Sequence, residues 1–366
     1  MVAAVLGGAQ LLFPARGTAA LQPETVRVAL LKQVESVRLD GTAYLASDDR
    51  GAPLGLSLPA MVRSEGGGVT VEGKRLRKLV VSAPDGLKVE GKLYRGIIEI
   101  VPAERGLLVV NELPVEDYLV GLINCEISSQ WPIEAVKAQA VVARSYALFQ
   151  KEARKGAPYH LESSVLDQVY DGSGVEDPRS ARGVRETEGE VLAYGGRTIQ
   201  AFFHSVCGGH TEAAEQVWGT PVPYLEGVRC GYCSDSPAIR WEQAVPLRKI
   251  EAALRAGGVQ LQGLREVRAG GRNRTGRLIS VVLLTSRGSQ EIPAVKFRKL
   301  VGYGVIRSTD FRVRMSGDDA LFSGNGYGHG VGLCQWGARS RASAGFSYRE
   351  ILSYYYPGAT LRQLYQ

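Results

Sequence analysis

Residues 113–156 read LPVEDYLVGLINCEISSQWPIEAVKAQAVVARSYALFQKEARKG, two helical patterns separated by a short polar break. Pro114 and Pro132 each suit a first helical position, where the missing N–H costs nothing and the ring presets φ. From Ile133 onward, Val136, Ala140, Ala143 and Ala147 recur at three- and four-residue steps, which makes one buried stripe. Gly156, coming after Lys151, Arg154 and Lys155, supplies a stop with charge that suits the helix dipole. The small side chains allow a neighbour to approach the backbone, so the second helix is expected at the centre of its domain. One acid stands at the break, Glu126, among Leu122, Ile123, Ile127 and Trp131. An acid in such a place is commonly a cap or a solvated charge. Between apolar neighbours, however, its carboxyl would lose hydration, its pKa would rise, and it would keep a proton for a leaving group. Lys137 and Arg144 are seven residues apart on one face, and with Gln139 they are expected to line a groove beside Glu126.

Working outward, residues 25–110 carry short β-branched or alternating runs separated by Gly, Pro, Asp and Asn, the pattern of a sheet or small barrel. The triplet VEG occurs at 71–73 and again at 89–91, a hint of two similar hairpins. Beyond the central helix, Asp167, Gln168 and Tyr170 mix hydrogen-bonding and aromatic groups as sugar sites do, although strand ends look the same. A hairpin around Gly195-Gly196 leads into FFHSVCGGHTEAAEQVWG, with His204, Cys207 and His210, and then to Cys230 and Cys233. Cys-x2-His followed by Cys-x2-Cys is close to a zinc-ribbon spacing, so Cys207, His210, Cys230 and Cys233 are the expected ligands of a structural Zn²⁺. His204 is an alternative fourth ligand, and a disulfide is the competing account of the cysteines. Residues 268–277, RAGGRNRTGR, read as a mobile hairpin tip with solvated charge. Glycines at 324, 326, 328, 330 and 332 alternate, which predicts an extended strand with one bare face, with His329 and Gln335 beside it. No phosphate-binding glycine motif is present.

The 366 residues, 45% hydrophobic and 22% charged, are enough for a globular chain of two domains with an ample core. A formal charge of +7 favours an anionic partner. The basic residues are scattered and no nucleic-acid-binding motif appears, so no nucleic-acid partner is expected. Residues 2–13 are apolar and small residues follow to Ala20, which resembles an export signal without its basic start. The run is too short for a stable transmembrane span, and a buried strand is the other reading.

The stretch VEDYLVGLINCEISSQWPIEAVKAQAVVARSYAL resembles the signature of the stage II sporulation protein D / amidase-enhancer (SpoIID/LytB) family. FFHSVCGGHTEAAEQVWG, PYLEGV and GYGHGVGLCQWGA resemble its later blocks, in the same order, over roughly residues 107–361. The resemblance implies a cell-wall role: members with the acid, here Glu126, are similar to lytic transglycosylases that cut peptidoglycan glycan strands. It also turns Gln168, Tyr170, His204, His329 and Gln335 towards the substrate, beside Lys137, Gln139 and Arg144. Some relatives hold zinc near the cleft, and relatives more often have Ser at Cys334.

The expected class is therefore α+β: a central helical pair with mixed β-sheets, a β-rich N-terminal region and an inserted α/β subdomain. The expected divisions are a signal peptide at 1–20, a β-rich region at 21–106 and a SpoIID/LytB-like domain at 107–366 with an insertion around 242–316. The expected activity is exported, in the periplasm or cell envelope. It is a peptidoglycan lytic transglycosylase forming 1,6-anhydro-muramic ends, with a non-catalytic enhancer of a cell-wall amidase as the alternative.

Overall fold

The computed structural model describes residues 24–365 apart from Ala43 and Leu166, so the expected signal at 1–20 lies outside the described residues. The fold is α+β. Its helices are α1 (Val115–Glu126), α2 (Ile133–Ala153), α3 (Pro178–Arg185), α4 (Ala214–Trp218), α5 (Leu247–Ala256), α6 (Ala294–Val301), α7 (Gln335–Ser343) and α8 (Tyr348–Tyr355).

Two six-stranded sheets make up the first part of the chain. One runs in the order Leu161–Glu162, Thr25–Val34, Leu107–Pro114, Ile97–Pro102, Leu79–Ser82, Leu45–Ser47. The other runs Lys74–Leu76, Gly68–Val71, Ala60–Glu65, Ser36–Asp40, Leu87–Val89, Lys92–Tyr94. Both VEG triplets form two-residue hairpins, with Glu72 and Glu90 each at φ 49° and a positive φ following, so the short repeat in sequence is a repeat in structure. Thr25–Val34 pairs antiparallel with Leu107–Pro114 from Thr25↔Pro114 to Val34↔Leu107. The expected boundary at 107 thus falls inside one sheet, and the β-rich region shares its core with the helical pair. The run LLVV is unbroken because its strand is covered on both faces. Leu107 and Val109 join the main core with Tyr118, Leu122 and Ile123, while Leu108 and Val110 pack with Ala29 on the other side.

α2 is the central helix that its alanines predict. Val136, Ala140, Ala143 and Ala147 face the first core, and Ala138, Val141 and Val142 face a second, built from Leu192, Val206, Leu333, Ile351, Tyr355 and four cysteines. The small side chains are needed on both sides. A third core, running from Trp241 to Phe322, belongs to the inserted subdomain with α5, α6 and two three-stranded sheets.

Two expectations are corrected. The loop at 268–277 is not a solvated tip: Asn273 Nδ2 donates to Glu212 Oε2 at 2.8 Å, Thr275 Oγ1 donates to the same oxygen, and Arg277 donates to the Cys207 carbonyl at 2.5 Å. Glu212 and Arg277 are 1% and 3% exposed, so the loop is a docking element whose polar groups satisfy a buried carboxylate. The glycine run is not an extended strand either. The strand Asp319–Asn325 stops, and Gly326, Gly328, Gly330 and Gly332 all have positive φ. At Gly332 a Cβ would lie 2.0 Å from the Phe202 carbonyl oxygen, so close approach is the reason for glycine there, as expected, but through turns instead of a bare strand face. Among the described residues no helix is long and apolar enough to cross a membrane.

Candidate functional site

The break between α1 and α2 is a fixed seat. α1 ends at Glu126 because Ile127 is extended at φ −140° and ψ 169°, and Pro132 starts the next helix. α3 holds the break from outside. Asp177 caps α3 through Oδ1, and its Oδ2 accepts from Asn124 Nδ2 at 2.9 Å and from the Ser129 hydroxyl. Arg179 donates to the carbonyls of Ser129 and Trp131 at 2.9 and 3.0 Å.

On this seat the Glu126 carboxyl accepts a hydrogen bond from the Val169 amide at 2.8 Å through Oε1 and a second from the Gln335 side chain. Both bonds favour the charged form, yet burial outweighs them and pushes its pKa up from 4.5 to about 7. The carboxyl opens into a pocket of about 400 Å³ lined by Asn124, Cys125, Glu126, Ile127, Ser128, Trp131, Ser205, Gln335 and Trp336. Glu126 is the sole carboxylate among the described residues of this lining. A larger hollow of about 710 Å³ lies on the inserted subdomain, but its carboxylates, Glu242 and Asp310, lack this apolar setting: Asp310 accepts from Asn325 Nδ2 and Glu242 is exposed.

The other expected residues divide. Gln335 is in the pocket, and its Nε2 donates to Gln139 Oε1 at 3.4 Å, which puts Gln139 directly behind it with Nε2 buried and unpartnered. Gln168 and Tyr170 are not in the lining. Their side chains are core groups, Gln168 bonded to Tyr118 and the Ala143 carbonyl, Tyr170 to Asn111, while the residue between them, Val169, offers its backbone to Glu126. Lys137 is held by Glu134 and Glu186 at 2.9 and 2.7 Å. Arg144 is fully buried and grips Glu116 with bonds of 2.8 and 2.6 Å. Both therefore leave the groove: the face they share packs towards α1 and α3.

His204 and His329 sit beneath the glycine run. His204 Nδ1 lies 3.1 Å from the Val331 carbonyl, and burial together with Arg277 lowers its pKa to about 3. His329 Nδ1 accepts from the Val331 amide at 3.0 Å, with Phe202, His204 and Trp218 around the ring. The lining residue of this segment is Ser205, which directly follows the two-residue strand Phe203–His204. Asn124, Ser128, Ser205 and Trp336 had no chemical pattern to single them out; their one signal was adjacency to Glu126, His204 and Gln335.

The second core contains a compact thiol cluster. Sγ atoms of Cys207, Cys230, Cys233 and Cys334 lie within 4.8 Å of one another, and Cys207 and Cys233 are 3.5 Å apart. That spacing exceeds a disulfide bond of about 2.0 Å, and all five cysteines of the chain are free. Tetrahedral coordination with metal–sulfur bonds of about 2.3 Å would set the sulfurs about 3.8 Å apart, which fits this group. Backbone amides point at the sulfurs, from Cys207 and Gly337 to Cys334 at 3.3 and 3.4 Å and from Gly209 to Cys207 at 3.4 Å; the Tyr355 hydroxyl is 3.1 Å from Cys230. Such donors favour thiolates and orient metal ligands. The expected fourth ligand, His210, is elsewhere: its Nδ1 meets the Thr211 carbonyl at 2.5 Å, and Cys334, the N-cap of α7, completes the group instead.

Comparison with known proteins follows the same geometry. A family model described as Stage II sporulation protein matches residues 103–194, which includes α1, α2 and Glu126. An uncharacterized protein of Brachyspira hyodysenteriae is 33% identical over 285 residues, 77% of this chain and 76% of its own length. The amidase enhancer of Bacillus subtilis is 29% identical over 291 residues, 66% of this chain but 40% of that protein. Stage II sporulation protein D of the same organism is 27% identical over 271 residues, 69% of this chain and 76% of its own. With its signature on the α1–α2 break and its likeness extending well beyond that signature, the chain belongs to the SpoIID/LytB family.

Proposed function

We propose that this chain is an exported lytic transglycosylase that cuts peptidoglycan glycan strands. One observation carries the reading: a single half-buried carboxyl, desolvated enough to be poised near neutrality, opens into a pocket whose described lining holds no second acid. Hydrolysis by water generally employs two carboxylates. One suffices when the sugar supplies its own nucleophile. Glu126 protonates the glycosidic oxygen as the C1–O bond breaks. The resulting carboxylate then takes the proton from the muramoyl 6-hydroxyl as that oxygen bonds to C1, leaving a 1,6-anhydro end and Glu126 protonated again. Gln335 and the Val169 amide stabilise the charged interval and hold the carboxyl in one orientation.

Cys207, Cys230, Cys233 and Cys334 would hold one Zn²⁺ with four protein ligands, a closed site whose contribution is structural. The amidase-enhancer relative supports a second reading, in which the chain binds peptidoglycan and stimulates a partner amidase without cutting glycan. Mass spectrometry of products from purified glycan strands in ¹⁸O-water tests both. Unlabelled 1,6-anhydro ends are expected. Labelled reducing ends would mean a hydrolase, and intact strands would leave the enhancer reading.

A further inference from the structure

Arg339 lies on α7, four residues beyond Gln335 and three beyond Trp336, so it shares their side of the helix about 6 Å further along the axis. Its guanidinium stands 4.8 Å from the Trp336 ring and 5.9 Å from the Trp131 ring, and those two indoles meet edge to face at 5.2 Å. Both rings line the Glu126 pocket. Arg339 is partly exposed and forms no hydrogen bond or ion pair with any described residue. Other cations near the centre are committed: Lys137 to Glu134 and Glu186, Arg144 to Glu116, and Arg179 to backbone carbonyls. Arg341, two residues on and so on the opposite side of α7, is buried over Tyr354 at 3.4 Å and faces a different cluster. A guanidinium held over an indole by cation–π attraction still has N–H groups available for a carboxylate in bidentate geometry.

We propose that Arg339, held over the Trp336 and Trp131 rings, is a carboxylate-binding subsite on the rim of the pocket, which selects a glycan bearing anionic muramoyl substituents over a neutral polymer of N-acetylhexosamine. The inference rests on the reading of the pocket as a glycan site. The indole pair supplies an apolar face for a sugar ring and the cation reads its substituent. Two sources offer the same group: the lactyl carboxylate of a muramoyl residue without a stem peptide, or the carboxylates of the stem peptide itself.

The test separates binding from turnover by using the Glu126→Gln protein. Calorimetric titration compares peptide-free muramoyl oligosaccharides, the same oligosaccharides with stem peptides, and chitooligosaccharides of equal length. A charged hydrogen-bonded pair predicts about 10- to 100-fold tighter binding of a muramoyl ligand than of the neutral one, and added Arg339→Met should abolish that preference. The preference should also weaken as salt is raised. Tighter binding of the peptide-free ligand identifies the lactyl group, and tighter binding of the peptide-bearing ligand identifies the stem. Arg339→Lys, which keeps the charge but not the planar fork of donors, should retain part of the preference and serves if the Met variant folds poorly. Equal affinity for neutral and anionic ligands, or a preference unchanged by loss of Arg339, overturns the subsite. Arg339-dependent binding without any cleavage by the wild-type protein would instead remove the transglycosylase reading and leave the subsite standing.

Discussion

Replacing Glu126 by Gln should make this protein more stable while disabling it, and the gain should depend on pH in a defined sense. Burial raises the carboxyl from 4.5 to about 7, so the folded protein keeps a proton that the unfolded chain releases near its ordinary value. Between those two values the folded state binds more protons, and stability falls as pH rises. With each pKa unit equivalent to about 1.4 kcal/mol, the loss reaches about 3 kcal/mol once the pH passes the folded value. A Gln side chain still accepts from the Val169 amide and has no charge to bury. Near pH 4.5 the two proteins should therefore be similarly stable, and near pH 8.5 the variant should be ahead by about 3 kcal/mol. Denaturant unfolding at both pH values, followed by tryptophan fluorescence, measures this, with Trp131 and Trp336 at the pocket itself. Cleavage should fall about 10²- to 10⁴-fold. Wild-type activity, which needs the protonated acid first, should decline above about pH 7. Parallel stability curves for the two proteins would refute the claim that the carboxyl is held neutral by burial. Undiminished cleavage would remove Glu126 from the chemistry.

Three further outcomes follow from the same geometry. Cys334→Ser should lose bound zinc and lower the unfolding midpoint, whereas His210→Ala should retain the metal; elemental analysis of protein purified without chelators decides between the two ligand sets. Gln335→Met removes a hydrogen bond that lowers the Glu126 pKa, so the alkaline limb of the rate profile should move to higher pH, and a limb that stays in place would deny Gln335 that role. Arg144→Met strands Glu116 and should cost about 3–5 kcal/mol in denaturant unfolding, while glycan affinity of the folded fraction stays unchanged because Arg144 does not reach the pocket.

The helical pair was readable because each helix carries its own start, stripe and stop within one short stretch. Glu126 was readable because an acid among Ile123, Ile127 and Trp131 is an anomaly that local pattern exposes. Direction was harder. Lys137 and Arg144 do share a face, but period alone cannot say which neighbour that face meets, and here it meets Glu186 and Glu116. Segment 168–170 was the right segment for the wrong atoms, since the contact to Glu126 is a backbone amide that carries no mark of residue type. The loop at 268–277 has the composition of a solvated tip, and only the buried carboxylate of Glu212, distant in sequence, accounts for its docking. Spacing led to His210 for a similar reason. Short pairs announce two halves of a metal site, but nothing local ties Cys334, far along the chain, to Cys207, Cys230 and Cys233.

The position of Cys334 also explains how a costly acid is kept in order. The pocket lies between two cores: Glu126, Ile127 and Trp131 come from the α1–α2 break against the first, while Ser205, Gln335 and Trp336 come from elements packed in the second. α3 pins the first wall through Asp177 and Arg179. The second wall has no such clamp from α3. Its equivalent is the thiol group, because Cys334 is both a member of that group and the N-cap of α7, whose first residue is the Gln335 that bonds to Glu126. One peptide bond thus separates the sulfur cluster from the side chain that tunes the acid. A cation there would fix the start of α7, and with it Gln335 and Trp336, relative to the segment that carries Ser205 and Cys207. A metal held by this cluster would therefore have a consequence for the pocket without touching substrate: loosening the cluster should blur the orientation of Gln335 and let the Glu126 carboxyl, already unfavourable when charged, drift further towards the neutral form.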